Sequence, residues 1–347
     1  RQKGNYAEAI DDCTAALRID PKSYLALHYR AAACLETGDY DRVLADCSEG
    51  IRLRPSHRWF YLMRAEAYLA KAEYEQVLAD SEKMLYATLN HSSLERAVAA
   101  IAEACEKTKQ WDKAIAVYTS LTEHHRGASQ IWRARGTAHF HLRHWDEAID
   151  DCTHAIRLNP DGVASYVWRS KAHRNKGDYA KAIDDCTSAL RINPRSIAAF
   201  HDRAIARRLA GHYKEALEDT SAGLEIAPDR TFLLDERAIN YAHLGAHDKA
   251  IADYSEAIRL DLDDSGLYAR RAEAYSALGR YDEALADGDR YVELRPDDAV
   301  AALIPAQILL MADRAEEYRQ ACAEILDRFG QSEDPLTLWH AARACVL

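Results

Sequence analysis

The segment DYAKAIDDCTSALRINP, Asp178–Pro194, carries apolar or small side chains at three- and four-residue intervals. These positions share one face of an α-helix: Ala182, Ile183, Cys186, Ala189 and Leu190. Pro194 ends the helix, because proline cannot continue one. The central AIDDCT recurs at residues 9–14 and 148–153. Its paired aspartates beside a cysteine have the residue types of a metal site or of an acid–nucleophile pair, so the segment needs an explanation.

The segment belongs to an internal repeat with a period of 34 residues. Triplets related to Gly177–Tyr179 begin at Gly4, Gly38, Ala72, Lys109, Arg143, Gly177, Gly211, Gly245 and Gly279. One interval, between residues 72 and 109, is 37 residues long, and a degenerate copy follows at Asp313. Six of the eight prolines share the stop position: Pro21, Pro55, Pro160, Pro194, Pro228 and Pro296. Each copy is predicted to form two helices, which short turns make antiparallel neighbours.

This pattern resembles the tetratricopeptide repeat over nearly the whole chain. Besides the turn triplet, the match includes a small residue in the second helix, at Ala9, Ala114, Ala148, Ala182, Ala216, Ala250 and Ala284. It also includes a large residue in the first helix, at Tyr61, Trp132, Tyr166, Phe200 and Tyr268. The resemblance implies an all-α fold, a right-handed superhelical α-solenoid of antiparallel two-helix repeats.

The period sets the predicted boundaries of this solenoid, which covers residues 1–330. A partial first repeat occupies 1–23. Full repeats follow at about 24–57, 58–94, 95–128, 129–162, 163–196, 197–230, 231–264 and 265–298, and a degenerate one at 299–330. Residues 331–347 are predicted as a C-terminal helical tail. The chain begins with Arg1, at the twelfth position of a repeat, so we expect a fragment of a longer protein.

One charged pair is gained or lost as a unit among the copies. An arginine in the first helix is followed 16 residues later by an aspartate in the second: Arg30/Asp46, Arg64/Asp80, Arg135/Asp151, Arg169/Asp185, Arg203/Asp219, Arg237/Asp253 and Arg271/Asp287. Two copies lack both residues and have Ile101/Val117 and Pro305/Ala321 instead. This predicts structural ion pairs between the two helices, since an unpartnered charge there would be costly. The aspartates of AIDDCT are then architectural, and no single copy stands out as a catalytic site.

The cysteines and histidines carry no recognisable chemistry. Five cysteines share one repeat position (Cys13, Cys47, Cys152, Cys186 and Cys322) and two share another (Cys34 and Cys105). Equivalent helices lie about 8–10 Å apart, too far for disulfides, which need Cα atoms within about 7 Å, so we predict free, buried thiols. His139, His141 and His144 form the best metal candidate, but residues i and i+2 face different sides of a helix. We predict no metal, cofactor or catalytic residue, and a non-enzymatic chain.

Composition narrows the class of partner and the compartment. The formal net charge is −11, which disfavours nucleic acid. No run approaches the roughly 18 apolar residues of a membrane helix, and no signal peptide opens the sequence. Eight cysteines in 347 residues, without a dense disulfide pattern, fit a reducing compartment. We therefore expect a cytoplasmic protein whose partner is neither nucleic acid nor membrane.

In the tetratricopeptide-repeat family the first helices line a peptide-binding groove, and the resemblance carries this expectation here. The predicted groove residues are Arg133, Phe140, His141, Lys171, Arg174, Asn175, His201 and Arg208, with Trp59 and Leu62 as a secondary, apolar site. Their charge favours an acidic peptide or protein partner, and the alternative is a solvated face with ordinary basic residues. The carboxylate clamp of chaperone-binding relatives is not matched at Arg133/Thr137 or Val167/Lys171.

The final segment, residues 316–347, is similar to the end of such arrays in large bacterial multidomain proteins, including serine/threonine protein kinases. The sequence thus predicts a non-catalytic protein–protein interaction scaffold. The alternatives are a regulatory or substrate-recruiting arm of a larger bacterial enzyme, and an enzyme with catalytic residues scattered along the array. Neither the partner's identity nor the oligomeric state follows from the sequence.

Overall fold

The computed structural model describes residues 5–85, 91–124, 126–330 and 334, which contain nineteen α-helices and no strand. The helices are α1 (Tyr6–Ile19), α2 (Tyr24–Thr37), α3 (Tyr40–Leu53), α4 (Arg58–Ala70), α5 (Tyr74–Leu85), α6 (His91–Thr108), α7 (Trp111–His124), α8 (Ser129–His141), α9 (Trp145–Leu158), α10 (Val163–Asn175), α11 (Tyr179–Ile192), α12 (Ile197–Leu209), α13 (Tyr213–Ile226), α14 (Thr231–His243), α15 (His247–Leu260), α16 (Ser265–Ala277), α17 (Tyr281–Leu294), α18 (Ala299–Met311) and α19 (Ala315–Phe329).

The chain divides into two compact units, residues 1–177 with α1–α10 and residues 178–347 with α11–α19. In each unit, helices that follow one another in sequence pack together, as α8 does with α9 and α14 with α15. The first helices of successive pairs also touch, as α6 does with α8 and α12 with α14. This is the all-α solenoid pattern that the repeat predicts. Except for Asp334, the predicted tail at 331–347 lies outside the described residues.

The turn inside each helix pair uses one backbone conformation. The residue that opens the turn triplet has a φ of +57° to +85° in nine copies of the described chain. Five of these residues are glycines, such as Gly211, for which this left-handed region costs little. The other four are Ala72, Lys109, Arg143 and Asp313. Their side chains make the same turn strained by roughly 1–2 kcal/mol, so the repeat geometry overrides local preference.

The 37-residue interval coincides with a longer first helix. Helix α6 spans 18 residues, whereas the first helices on either side of it, α4 and α8, span 13. It begins at His91, ahead of the position that the period predicts for its start. Part of the insertion is therefore absorbed as additional helix.

The interior of each unit is built from small residues at helix crossings and large ones between them. Ala148 in the first unit and Ala216 in the second are at most 1% exposed. An apolar cluster of the first unit gathers around Leu94, Ile101 and Tyr118. One in the second unit includes Leu233, Tyr254 and Leu267. None of the described helices has both the length and the apolar character that crossing a membrane requires.

Candidate functional site

An arginine and an aspartate join the two helices of a pair at six places. Nε and Nη2 of each guanidinium donate to the aspartate carboxylate, with shortest N–O distances of 2.5 to 2.7 Å. The six pairs are Arg30–Asp46, Arg64–Asp80, Arg135–Asp151, Arg203–Asp219, Arg237–Asp253 and Arg271–Asp287. The aspartate side chains are only 3–11% exposed. Arg169 and Asp185 belong to different units, so that pair stays a prediction.

The same arginines reach a third helix, which the sequence analysis missed. Nη1 donates to a hydroxyl 16 residues earlier, on the second helix of the preceding pair, over 2.9 to 3.2 Å. The acceptors are Thr14, Ser48, Thr119, Thr153, Thr187 and Ser255. A signal was available, because a serine or threonine stands 16 residues before every one of the seven arginines. The final threonine of AIDDCT is this acceptor, so the motif supplies contacts between helices.

The cysteines in these helices are buried and unpaired. Cys47, Cys152 and Cys186 have no exposed surface, and all seven cysteines in the described residues are free thiols. Burial raises the pKa of Cys105 to about 11 and raises that of Cys47 as well. Because the thiolate is the nucleophilic form, these cysteines are unreactive at neutral pH.

The histidine motif does not assemble a metal site. Among the described residues, no group of three or more histidine, cysteine, aspartate or glutamate side chains is arranged to hold a metal ion. His139 Nε2 lies 3.9 Å from Asp151, and its ring is 5.7 Å from that of His144. His141 stacks instead on Trp111. The members of the motif therefore face different neighbours.

A cavity of about 880 Å³ lies in the first unit, among α6, α7, α8 and α10. Its lining includes Glu103 and Glu106 from α6, Arg133 and His141 from α8, and Trp168 from α10. Pockets of about 300–1,000 Å³ hold small ligands or a few side chains of a peptide. The cavity therefore has room for a short segment of a partner.

Aromatic rings form one end of this cavity. The His141 ring stacks on Trp111 with ring centroids 4.0 Å apart and an interplanar angle of 5°. Phe140 sits between Trp145 and Trp168, at 5.0 and 5.3 Å. Such rings offer a large, rigid apolar surface at low entropic cost to a binding partner.

The charges of the cavity are mixed. Arg133 is half-buried on α8, and within the described part of the chain no carboxylate forms an ion pair with it. Glu103 and Glu106 line the cavity from α6. Burial lowers the pKa of His141, so its ring is neutral at pH 7. The cavity thus presents a cation and carboxylates near an aromatic surface, rather than the cationic stretch that the sequence predicts.

The other predicted groove residues of the first unit lie on α8 and α10. Lys171 Nζ lies 4.5 Å from the Trp168 ring centroid, a cation–π contact beside the cavity. Asn175 is exposed, and its Nδ2 donates to the Lys171 carbonyl over 2.8 Å. Arg174 is half-buried at the end of α10. Arg133, His141 and Lys171 are therefore gathered around Trp168, a residue that the sequence analysis did not single out.

The predicted groove residues of the second unit have partners in their own chain. Arg208 Nε donates to Glu236 Oε1 over 2.6 Å, and Glu236 is 4% exposed. Asn240 donates to the same oxygen. His201 packs edge-on against Phe232, with ring centroids 4.7 Å apart. The expectation that Arg208 offers a free cation to a ligand is corrected, because a buried carboxylate already neutralises it.

The secondary site predicted at Trp59 and Leu62 also needs correction. Leu62 is 1% exposed and belongs to the buried cluster around Leu94 and Ile101. Only the half-buried Trp59 keeps accessible surface. A ligand cannot reach Leu62, because the close packing of this cluster encloses it.

Asp235, next to Glu236, gives a prediction for pH dependence. Burial raises its pKa to about 6, although Arg270 lies 3.0 Å away and acts in the opposite direction. Since the folded state holds the proton more tightly, stability should fall as pH rises from about 4 to 6, by at most about 3 kcal/mol. Asp235→Asn should remove this slope in urea titrations at several pH values. Asp229→Asn, in an exposed turn, is the control, and an unchanged slope in Asp235→Asn would contradict the assignment.

Stacked antiparallel helix pairs, joined by the same arginine contacts, define a helical-repeat protein. Models of the tetratricopeptide repeat match residues 1–58, 129–161, 163–196 and 236–299, together more than half of the chain. The chain belongs to the tetratricopeptide-repeat family. Proteins of this family are generally protein-interaction scaffolds. No curated protein sequence matches the chain.

Two solved structures support the fold. A chain of the APC/C hetero-tetramer Cut9–Hcn1 aligns with 92% of this chain and 63% of its own length, at 17% identity and a TM-score of 0.56. A tetratricopeptide repeat protein from Parabacteroides merdae aligns over 73% of this chain and 97% of its own, at 19% identity and a TM-score of 0.54. A tetratricopeptide-repeat protein of Thermus thermophilus is 25% identical over 53% of this chain and 100% of its own, with a TM-score of 0.44.

Proposed function

We propose that this chain is a non-catalytic protein–protein interaction scaffold that binds a peptide segment of a partner in the first-unit cavity. The observation that carries the proposal is Arg133, which lines a cavity of about 880 Å³ and pairs with no carboxylate of the described chain. A half-buried cation without a partner retains most of its capacity for a charge-assisted hydrogen bond. A carboxylate of the partner supplies that bond.

The surroundings of Arg133 set the remaining chemistry of the partner. Trp168 and Trp111 favour an apolar or aromatic side chain next to the acidic one. Glu103 and Glu106 repel a second carboxylate on their side and favour a basic group there. The partner segment is therefore acidic at one position and apolar at the next, rather than acidic throughout.

The first test reverses the charge of Arg133. Peptides selected from a displayed library on the wild-type chain are measured by fluorescence anisotropy against the Arg133→Glu and Trp168→Ala variants. Each variant should weaken binding at least about tenfold, and binding to the wild type should fall as salt rises. Arg157→Glu, an equal charge change at an exposed site on α9, is the control.

Two results would move the site away from this cavity. One is full affinity in Arg133→Glu, with circular dichroism showing that the variant is folded. The other is a selected set of peptides without carboxylates. Loss of binding in the control variant as well would indicate a general effect of net charge.

The compartment follows from the same residues. Free buried thiols, as at Cys47 and Cys186, fit a reducing environment. We therefore place the scaffold in a bacterial cytoplasm, as the predicted regulatory or recruiting arm of a larger protein would require.

A further inference from the structure

The arginine of a regular repeat fills a defined space between three helices. In the second unit, Arg271 on α16 donates to Asp287 on α17 and to Ser255 on α15. The partners lie 16 residues after and 16 residues before the arginine. We call this space the arginine slot: a first-helix residue, a second-helix residue 16 positions later and a second-helix residue 16 positions earlier.

The last helix pair has an arginine slot without its arginine. The three positions are Pro305 on α18, Ala321 on α19 and Asp289 on α17. All three line one cavity of about 770 Å³. The other copy without an arginine differs, because Ile101 there is fully buried and fills the space. Pro305 and Ala321 are too small to do so, which leaves an open slot.

Asp289 supplies the charge of this cavity. It stands where regular repeats have a serine or threonine, and no cation of the described residues pairs with it. Partial burial and the nearby Glu293 raise its pKa, which shows that its negative charge is poorly compensated. The arginines of the cavity are engaged elsewhere: Arg314 pairs with Asp282 and Glu317, and Arg328 lies over the Phe329 ring.

We propose that this open slot binds an arginine side chain from a basic, apolar-faced segment of another protein. The guanidinium occupies the place that Arg271 fills one repeat earlier, and it donates to Asp289. Leu285, Val292, Leu309 and Ile325 line the cavity and receive the apolar face of the segment. The site is in the second unit and goes beyond the first-unit site proposed above.

Charge complementarity selects this occupant. Besides Asp289, the cavity is lined by Asp282, Glu293, Glu317 and Glu324, against two arginines. A cationic segment is therefore attracted, and its arginine finds a desolvated carboxylate. Residues 331–347 of this chain carry Glu333 and Asp334 and a single basic residue, Arg343, besides a histidine, so the chain's own tail matches the charge less well.

The test uses a fluorescein-labelled helical peptide of leucine, alanine and arginine, and a matched peptide with neutral citrulline in place of arginine. The arginine peptide should bind the full chain at least about tenfold more tightly than the citrulline peptide. Asp289→Asn should weaken its binding about tenfold. Asp327→Asn, an exposed carboxylate on α19 outside the cavity, should not. The double variant Pro305→Arg/Ala321→Asp refills the slot with its own pair and should abolish binding.

Three results would overturn the proposal. The first is equal binding of the two peptides, or no binding of either. The second is unchanged affinity in the refilled double variant, with Arg133→Glu as a control that should leave this site intact. The third is tighter peptide binding in the Arg343→Glu variant, which would identify the chain's own tail as the occupant.

Discussion

Replacing Arg271 with alanine should lower the free energy of unfolding by about 3 kcal/mol. The change removes two hydrogen bonds of 2.7 Å to Asp287, whose side chain is 8% exposed, and one of 2.9 Å to Ser255. Removing one partner of a buried pair leaves an uncompensated charge, which costs more than the pair itself contributes. Urea titration followed by circular dichroism measures the loss.

A double-mutant cycle separates pairing from packing at this site. Arg271→Ile combined with Asp287→Val copies the natural Ile101/Val117 combination and should recover much of the loss, because neither charge then remains buried. Arg259→Ala is the matched control, since Arg259 pairs with Glu256 on the surface, where the side chains are 66% and 45% exposed. It should cost at most about 1 kcal/mol. Additive effects of the two single changes at Arg271 and Asp287 would show that the pair carries no coupling energy.

The charged pairs could be predicted because the chain contains its own comparison set. Arg271 and Asp287 vary together with their equivalents across copies, so a contact between helices follows without an alignment. The hydroxyl at Ser255 was equally regular but was overlooked, since serine and threonine on a helix surface are common and carry no charge to balance. A repeat sequence thus predicts what every copy shares.

The site was harder to predict because it depends on what differs between copies. Arg208 and Arg133 both lie on first helices, but only Arg208 meets a buried carboxylate, Glu236, from the next first helix. Leu62 occupies the same repeat position as Arg133, yet it is enclosed by the apolar cluster of α6. Repeat position fixes where a side chain starts, whereas its neighbours decide whether it remains accessible.

The open slot at Pro305 illustrates the same limit. From the sequence, Pro305/Ala321 and Ile101/Val117 are equivalent losses of an ion pair. The structure distinguishes them, because side-chain volume at Ile101 fills the space and at Pro305 does not. Volume depends on packing between three helices, which a pairwise pattern does not contain.

Introducing the missing charge at the filled copy should destabilise the chain, as removing it does at a regular copy. Ile101 is fully buried in the cluster with Leu94 and Tyr118, and Val117 packs against that cluster. Ile101→Arg places a cation there without a partner, and we expect it to cost more than about 4 kcal/mol, the range reserved for buried unpaired charges. Urea titration is again the measurement, and Ile101→Val, a small loss of volume costing about 1 kcal/mol, is the control.

Adding Val117→Asp to Ile101→Arg tests whether the pair is a transferable unit. Val117 lies 16 residues after Ile101, the spacing of every Arg–Asp pair observed, so the new aspartate should reach the guanidinium. The double variant should recover at least half of the loss, since paired charges offset their desolvation when bidentate geometry is available. A double variant less stable than Ile101→Arg alone would show that this cluster has no space for the pair. The apolar filling would then be a fixed feature of the helix pair that forms the α6 wall of the peptide cavity.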